Sequence, residues 1–108
     1  MGYTNFWQQQ TDFTPSEWSQ VVKEAEYIKD WALNNSLNAI ASVVIEKNHI
    51  IIDGVHPNVC ENFVLYRKPP NRDRPQFCKT QLRLYDLAVR HLLSVCSAVK
   101  EDFSHHAN

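Results

Sequence analysis

The sequence predicts an α+β fold: an N-terminal helix, a three-stranded antiparallel sheet that a short fourth strand would extend, and a C-terminal helix. Two observations predict it. Apolar residues recur at helical spacing near both ends of the chain, whereas alternating and β-branched runs fill the middle. The 108 residues are expected to form a single domain, because the length is typical of one and no repeat divides it. A hydrophobic content of 44% and a net charge of −1 argue against disorder.

The stretch FTPSEW predicts the start of the first helix. Thr14 is a favourable N-cap, a proline follows at the first helical position, and Glu17 stands where the carboxylate of a capping box reaches back. Phe13 and Trp18 occupy the two positions of a hydrophobic staple. Apolar residues then recur at helical spacing, so a helix is predicted over residues 15–33.

Three strands are predicted between the helices. The segment LNAIASVVIE, residues 37–46, alternates between two faces, and IIID, residues 50–53, follows a turn in which Asn48 accepts positive φ. The segment CENFVLYR, residues 60–67, predicts the third strand. Because apolar residues occur on both faces, either the helices cover opposite faces, or they share one face and a second copy covers the other.

The second arrangement is favoured and predicts a homodimer, because a small sheet with two exposed edges gains much by pairing. The N-terminal arm, residues 1–13, carries Tyr3, Phe6 and Trp7. These aromatic residues either cap the protein's own core or cross onto the partner copy.

The last third of the chain predicts a loop and a helix. Three prolines and few apolar residues predict a basic, proline-rich loop over residues 68–76. The following QFCKT adds a short extended piece, and Thr80 is expected to be the N-cap of the last helix. Asp86 would then lie near the positive end of the helix dipole, and apolar spacing continues to Phe103.

Charge is distributed unevenly along the chain. Residues 67–83 carry six basic groups and one acid, whereas residues 1–66 carry three basic and eight acidic groups. Lys79 and Thr80 lie at the expected helix start, where free backbone N–H groups favour the binding of anions. The guanidinium of Arg67 can form two parallel hydrogen bonds to a phosphate or carboxylate. The pattern predicts anion binding, and the alternative is a solvated loop whose charges balance an acidic body.

Long nucleic acid is disfavoured as a partner because the chain is slightly acidic, with a sequence pI near 6.5 and no broad basic face. A membrane is not expected as a partner, because no run of eighteen apolar residues occurs. The first ten residues also lack the basic start and apolar stretch of a secretory signal.

Neither a metal nor another cofactor is expected. Cys60, Cys78 and Cys96 are too widely spaced for a zinc motif and odd in number for a disulfide framework, which indicates reduced thiols in the cytosol. His105 and His106 are expected to belong to a frayed, solvated tail.

Catalysis has weaker support, and no catalytic residue is assigned. Cys78 beside a basic residue and a helix start could have a lowered pKa, but nothing in the sequence brings His49 or His56 to it as a base. Glu61 with Lys79 or Asp86 would form an acid–base pair, although a carboxylate that holds a basic side chain in place is the simpler interpretation.

The stretches DGVHPNVCENFVLYR and FCKTQLRLYDLAV resemble a family of small uncharacterised proteins encoded by tailed bacteriophages. The pattern is Asn-Gly, Cys-Glu-x-Phe, Arg, Phe-x-Lys-Thr and Pro-Tyr-Asp. It is matched by Gly54, Cys60, Glu61, Phe63, Arg67, Phe77, Lys79, Thr80, Tyr85 and Asp86. The chain departs from it at Asp53, in place of Asn, and at Leu84, in place of a Pro that would mark the helix start.

The resemblance implies a small phage accessory protein in the host cytoplasm that antagonises host defence by binding rather than by catalysis. The leading hypothesis is therefore a dimeric protein that holds an anionic, nucleotide-like ligand. Its site would comprise Arg67, Lys79, Thr80, Arg83, Glu61, Tyr85 and Asp86. The alternative is an interaction module that docks on a host protein through Phe6, Trp7 and the basic loop, and the third possibility is a nucleotide hydrolase using Glu61 and Lys79.

Overall fold

The α+β class is confirmed, but the strands form two sheets instead of one. The computed structural model describes residues 3–34, 40–55, 60–81 and 85–108. These residues form two helices and two three-stranded antiparallel sheets. The elements are β1 (Thr4–Gln8), α1 (Pro15–Asn34), β2 (Ile40–Ile45), β3 (His49–Gly54), β4 (Phe63–Tyr66), β5 (Gln76–Lys79), α2 (Asp86–Val99) and β6 (Ser104–Ala107).

The first helix begins where the capping signal predicts. The Thr14 N–H donates to Oε1 of Glu17 at 2.8 Å, and the Glu17 N–H donates to Oγ1 of Thr14 at 3.1 Å, which is a complete capping box. The rings of Phe13 and Trp18 lie 5.5 Å apart as the hydrophobic staple. The helix ends at Asn34, one residue beyond the predicted end.

The predicted three-stranded sheet is present, in the order β2-β3-β4. A tight turn joins β2 to β3, in which the Glu46 N–H donates to the carbonyl of His49 at 2.9 Å. One face of this sheet is buried in the core. It consists of Val43, Ile50, Ile52, Phe63 and Leu65, with Ile45 partly buried beside them. The helices contact each other, and α1 also contacts β2.

A second sheet, in the order β5-β1-β6, was not predicted. The N-terminal arm supplies its central strand, β1, and Trp7 is buried against Phe63 with ring centroids 5.1 Å apart. The expectation of a frayed C-terminal tail was wrong, because Ser104–Ala107 pairs with β1 in antiparallel register. The arm therefore covers the core of its own chain.

The start of the last helix also differs from the prediction. Tyr85, not Thr80, is the N-cap residue, and α2 begins at Asp86. Thr80 instead follows β5, and its hydroxyl donates to the Asp86 carboxylate. Leu84, which replaces the proline of the phage pattern, lies outside the described residues. Neither helix in the described part of the chain combines the length and the apolar character needed to cross a bilayer.

Candidate functional site

A buried polar network joins β1, the end of β5 and the start of α2. The Asn5 amide donates to Oδ1 of Asp86 at 2.6 Å, and the Thr80 hydroxyl donates to the same oxygen at 2.5 Å. Nε of Arg90 lies 2.7 Å from the other carboxylate oxygen, Oδ2. All three residues, Asn5, Thr80 and Asp86, are buried, so their side chains hydrogen-bond to one another and not to water.

Tyr85 fixes the segment that precedes β4. Its hydroxyl donates to the carbonyl of Glu61 at 2.6 Å and accepts the Cys60 N–H at 3.2 Å. Burial raises the pKa of Tyr85 to about 12, although the hydrogen bond from the Cys60 backbone opposes this shift. The phenol therefore stays protonated at neutral pH and acts as a fixed donor to the Glu61 backbone.

Glu61 and Lys79 exchange two hydrogen bonds between β5 and the segment that precedes β4. The Lys79 N–H donates to Oε1 of Glu61 at 2.7 Å, and the Glu61 N–H donates to the carbonyl of Lys79 at 3.0 Å. Both residues are exposed. The Lys79 ammonium makes no ion pair with any residue that the structure describes. The result is a lysine whose backbone is fixed while its charge faces solvent.

Arg67 lies away from this cluster. Its Nε donates to the carbonyl of Phe13 at 3.2 Å, and its own carbonyl accepts the Gln9 side chain at 3.0 Å. Gln9 follows the end of β1, whereas Lys79 pairs with Thr4 at its beginning. Five residues of extended chain separate these points by roughly 16 Å. The structure therefore places Arg67 at the opposite end of β1 from Lys79.

The predicted site residues thus fall into three groups. Glu61, Lys79, Thr80, Tyr85 and Asp86 are brought together, but only the first two are exposed. Arg67 stands apart. Arg83, which the prediction also includes, lies outside the described residues.

The cysteines do not resemble a catalytic nucleophile and base. Burial, followed by the nearby charge of Glu61, raises the pKa of Cys78 to about 12, opposite to the lowering that nucleophilic cysteines show. Cys60, Cys78 and Cys96 are free thiols. His49 lies against the Tyr66 ring, at 6.3 Å, and His91 pairs with a glutamate of α1. His56, the other histidine considered as a base, lies outside the described residues.

A row of rings crosses the outward face of the second sheet, and the sequence did not predict it. Phe77 of β5, Phe6 of β1 and His106 of β6 are direct neighbours in the strand register, and we call them the aromatic row. The Phe6 ring lies 6.3 Å from the Phe77 ring and 5.1 Å from the His106 ring. Residues 76–79 and 104–107 do not alternate between apolar and polar residues. The sequence pattern therefore could not predict that these rings lie on one face of a sheet.

Comparison with known proteins adds no assignment. Searches against protein-family models, curated proteins and solved structures found no match to the chain. Within the described residues, no group of three or more His, Cys, Asp or Glu side chains is arranged to hold a metal ion. The geometry around Lys79 is therefore the basis for assigning a function.

Proposed function

We propose that the protein binds a small anionic, nucleotide-like ligand and that the Lys79 ammonium is its main charged contact. The observation that carries the proposal is the exposed charge of Lys79 on a fixed backbone. Glu61 holds that backbone from one side through two hydrogen bonds. A lysine held in this way presents its ammonium as a point charge to a phosphate without reorganisation of the main chain.

The buried members of the predicted site act as positioning residues in this proposal. Tyr85 fixes the Glu61 carbonyl, and Asp86 fixes Thr80, which follows Lys79 directly. The second carboxylate oxygen of Glu61 would accept a hydrogen bond from a ligand hydroxyl or amine. Arg83 stands in sequence between Thr80 and Tyr85 and stays a predicted ligand contact. Arg67 lies too far from Lys79 to contact the same ligand group.

The resemblance to phage proteins supplies the biological part of the proposal. A phage accessory protein of this kind would act in the host cytoplasm and antagonise host defence by holding a nucleotide signal. A hydrolase is less well supported, because Glu61 is engaged with the Lys79 N–H and Cys78 is a protonated thiol at neutral pH.

The alternative of a module that docks on a host protein is supported by one observation. Phe77 is 58% exposed, and the ring of Phe6 beside it is partly exposed. Trp7, however, is buried, so it does not serve as the docking anchor that the sequence suggested.

A thermal-shift screen tests the proposal directly. Purified protein is heated with nucleotides, cyclic nucleotides and pyrophosphate, and a ligand at a hundred times its Kd should stabilise by about 2.7 kcal/mol. The Lys79→Ala variant should lose the shift, whereas Lys29→Ala, which removes an exposed lysine on α1, should keep it. Equal shifts in both variants would contradict the role of Lys79.

A further inference from the structure

The outward face of the second sheet combines rings and positive charge. Along β1, Asn5 and Trp7 point into the core, while Thr4, Phe6 and Gln8 alternate with them and are partly exposed. Along β5, Cys78 is buried, while Phe77 and Lys79 on either side of it are exposed. Because successive side chains of a strand point to opposite faces, Lys79 and the aromatic row share the outward face.

Lys79 and the basic loop lie on the two sides of the aromatic row, one toward each end of β1. Lys79 lies two residues from Phe77 on the same strand, a separation of about 7 Å. At the other end, the Gln8 side chain donates to the carbonyl of Arg72 at 2.8 Å and so holds the basic loop against β1. Arg74 of this loop is exposed and makes no ion pair with any residue in the described ranges.

From this arrangement we infer that the aromatic row is a stacking surface for a nucleobase and that Lys79 holds the phosphate of the same nucleotide. The inference rests on the proposed function and narrows its ligand class from anions in general to nucleotides. Every base offers a π-face, and proteins that bind unpaired bases place aromatic side chains on a sheet and cations beside them.

Charge favours a nucleotide over a peptide or a second copy of the chain as the occupant. The Lys79 ammonium is exposed and makes no ion pair with an acid that the structure describes. In the basic loop, Asp12 balances the charge of Arg72 at 3.0 Å, and Asp73 stands in sequence between Arg72 and Arg74. Glu61 is the acid beside Lys79, and one of its oxygens is occupied by the Lys79 N–H. The exposed Lys79 ammonium beside the aromatic row fits a ligand that carries both a flat ring and a negative group.

The test separates the base from the phosphate. Isothermal titration calorimetry measures binding of ATP, pyrophosphate and a thymidine octanucleotide to wild type, Phe77→Leu and Lys79→Ala. Tyr27→Leu is the matched control, because Tyr27 is an aromatic residue on α1 that is 64% exposed, close to the 58% of Phe77. Thermal melting of each variant verifies that it is folded.

We expect Phe77→Leu to weaken ATP binding about tenfold and leave pyrophosphate binding unchanged, as loss of one stacking contact predicts. Lys79→Ala should weaken the binding of both ATP and pyrophosphate, and Tyr27→Leu should change the binding of neither. Tighter binding of the octanucleotide than of ATP would identify a single strand as the source of the nucleotide, and equal or weaker binding would identify the free nucleotide.

Three results would contradict the proposal. If Phe77→Leu binds ATP as tightly as wild type does while Lys79→Ala binds neither ATP nor pyrophosphate, the anion site is supported and the stacking role of the aromatic row is refuted. If Phe77→Leu no longer binds ATP while Lys79→Ala still binds pyrophosphate as wild type does, the proposed phosphate contact of Lys79 is refuted. A change of oligomeric state in Phe77→Leu with unchanged ATP binding would assign the face to a second copy of the chain and overturn the inference.

Discussion

The amide of Asn5 donates a hydrogen bond of 2.6 Å to the carboxylate of Asp86, although 81 residues separate the two in sequence. This contact closes the second sheet onto the last helix, because Asn5 lies in the central strand and Asp86 is the first residue of α2. Both side chains are buried, so neither finds water as an alternative partner. The contact therefore fixes where α2 begins relative to Lys79.

Removal of the Asp86 carboxylate should be strongly destabilising. We expect Asp86→Ala to lower the free energy of unfolding by about 3–5 kcal/mol, because it leaves Asn5 and Thr80 buried without their acceptor and Arg90 without its partner. Urea unfolding followed by far-UV circular dichroism measures this. The control Asp73→Ala, at an exposed acid of the basic loop, should stay within about 0.5 kcal/mol of wild type.

Local signals in the sequence predicted the first helix well. The capping box of Thr14 and Glu17 depends only on neighbouring residues, so it was visible in the sequence and located the helix start correctly. The turn around Asn48 was local as well. In the candidate site, Lys79, Thr80, Tyr85 and Asp86 belong to one short segment, so their closeness was predictable from the sequence, whereas their role in binding stays a prediction.

The second sheet was missed because its pattern is nonlocal. The inward positions of β1 include Asn5, and Gln9 beyond it is also buried, so the usual alternation of apolar and polar residues is absent. Their amide N–H groups find partners in distant parts of the chain, at Asp86 for Asn5 and at the carbonyl of Arg67 for Gln9. Strand β6, SHHA, has almost no apolar content and forms by pairing with β1.

The three cysteines should differ in reactivity toward iodoacetamide. Burial raises the pKa of Cys78 to about 12 and also raises the pKa of Cys96, so almost no thiolate of either exists at pH 8. Cys60 is partly exposed. Mass spectrometry should show one modification in the native protein, at Cys60, and three after unfolding in urea. Labelling of native Cys78 before Cys60 would contradict the burial of Cys78.

Stability should depend on pH through Asp102. Burial alone would raise the pKa of this carboxyl, but the Thr11 hydroxyl and the Lys100 ammonium outweigh it, and the pKa is lowered. A carboxyl whose pKa is lower in the folded protein stabilises the fold at any pH above its unfolded pKa of about 3.9. This stabilisation is lost as the pH falls through the pKa of the folded protein.

Asp102→Asn should therefore melt below wild type at pH 6, by an amount equivalent to at most about 1 kcal/mol for this partly exposed pair. The difference should shrink below about pH 4. Thermal melting across this pH range measures it, with Glu101→Gln as a control at an exposed acid. A difference that grows as the pH falls would contradict the ion pair.

The homodimer predicted from the sequence has a candidate interface on the first sheet. Its outward face carries Val44, Ile51 and Val64 in one row across the three strands, with Tyr66 beside them, and both Val44 and Tyr66 are exposed. We expect wild type to show twice the chain mass of 12.6 kDa by light scattering. Val44→Asp should show the single-chain mass, because it buries a charge at the interface.

Leu87→Asp is the control for this experiment, since Leu87 is an exposed apolar residue on α2. It should leave the mass unchanged. A single-chain mass for wild type would refute the dimer, and a dimer that persists in Val44→Asp would refute this interface.

The most direct test of the account is an NMR titration of the isotope-labelled protein with ATP, observed through its backbone amide resonances. We predict that the largest shifts fall on the outward face of the second sheet, at Thr4, Phe6, Phe77, Lys79 and His106. These residues adjoin one another across three strands, so a bound nucleotide would perturb them together. Shifts centred instead on Arg67 and Asn48, or no shifts at millimolar ATP, would contradict a nucleotide site at Lys79.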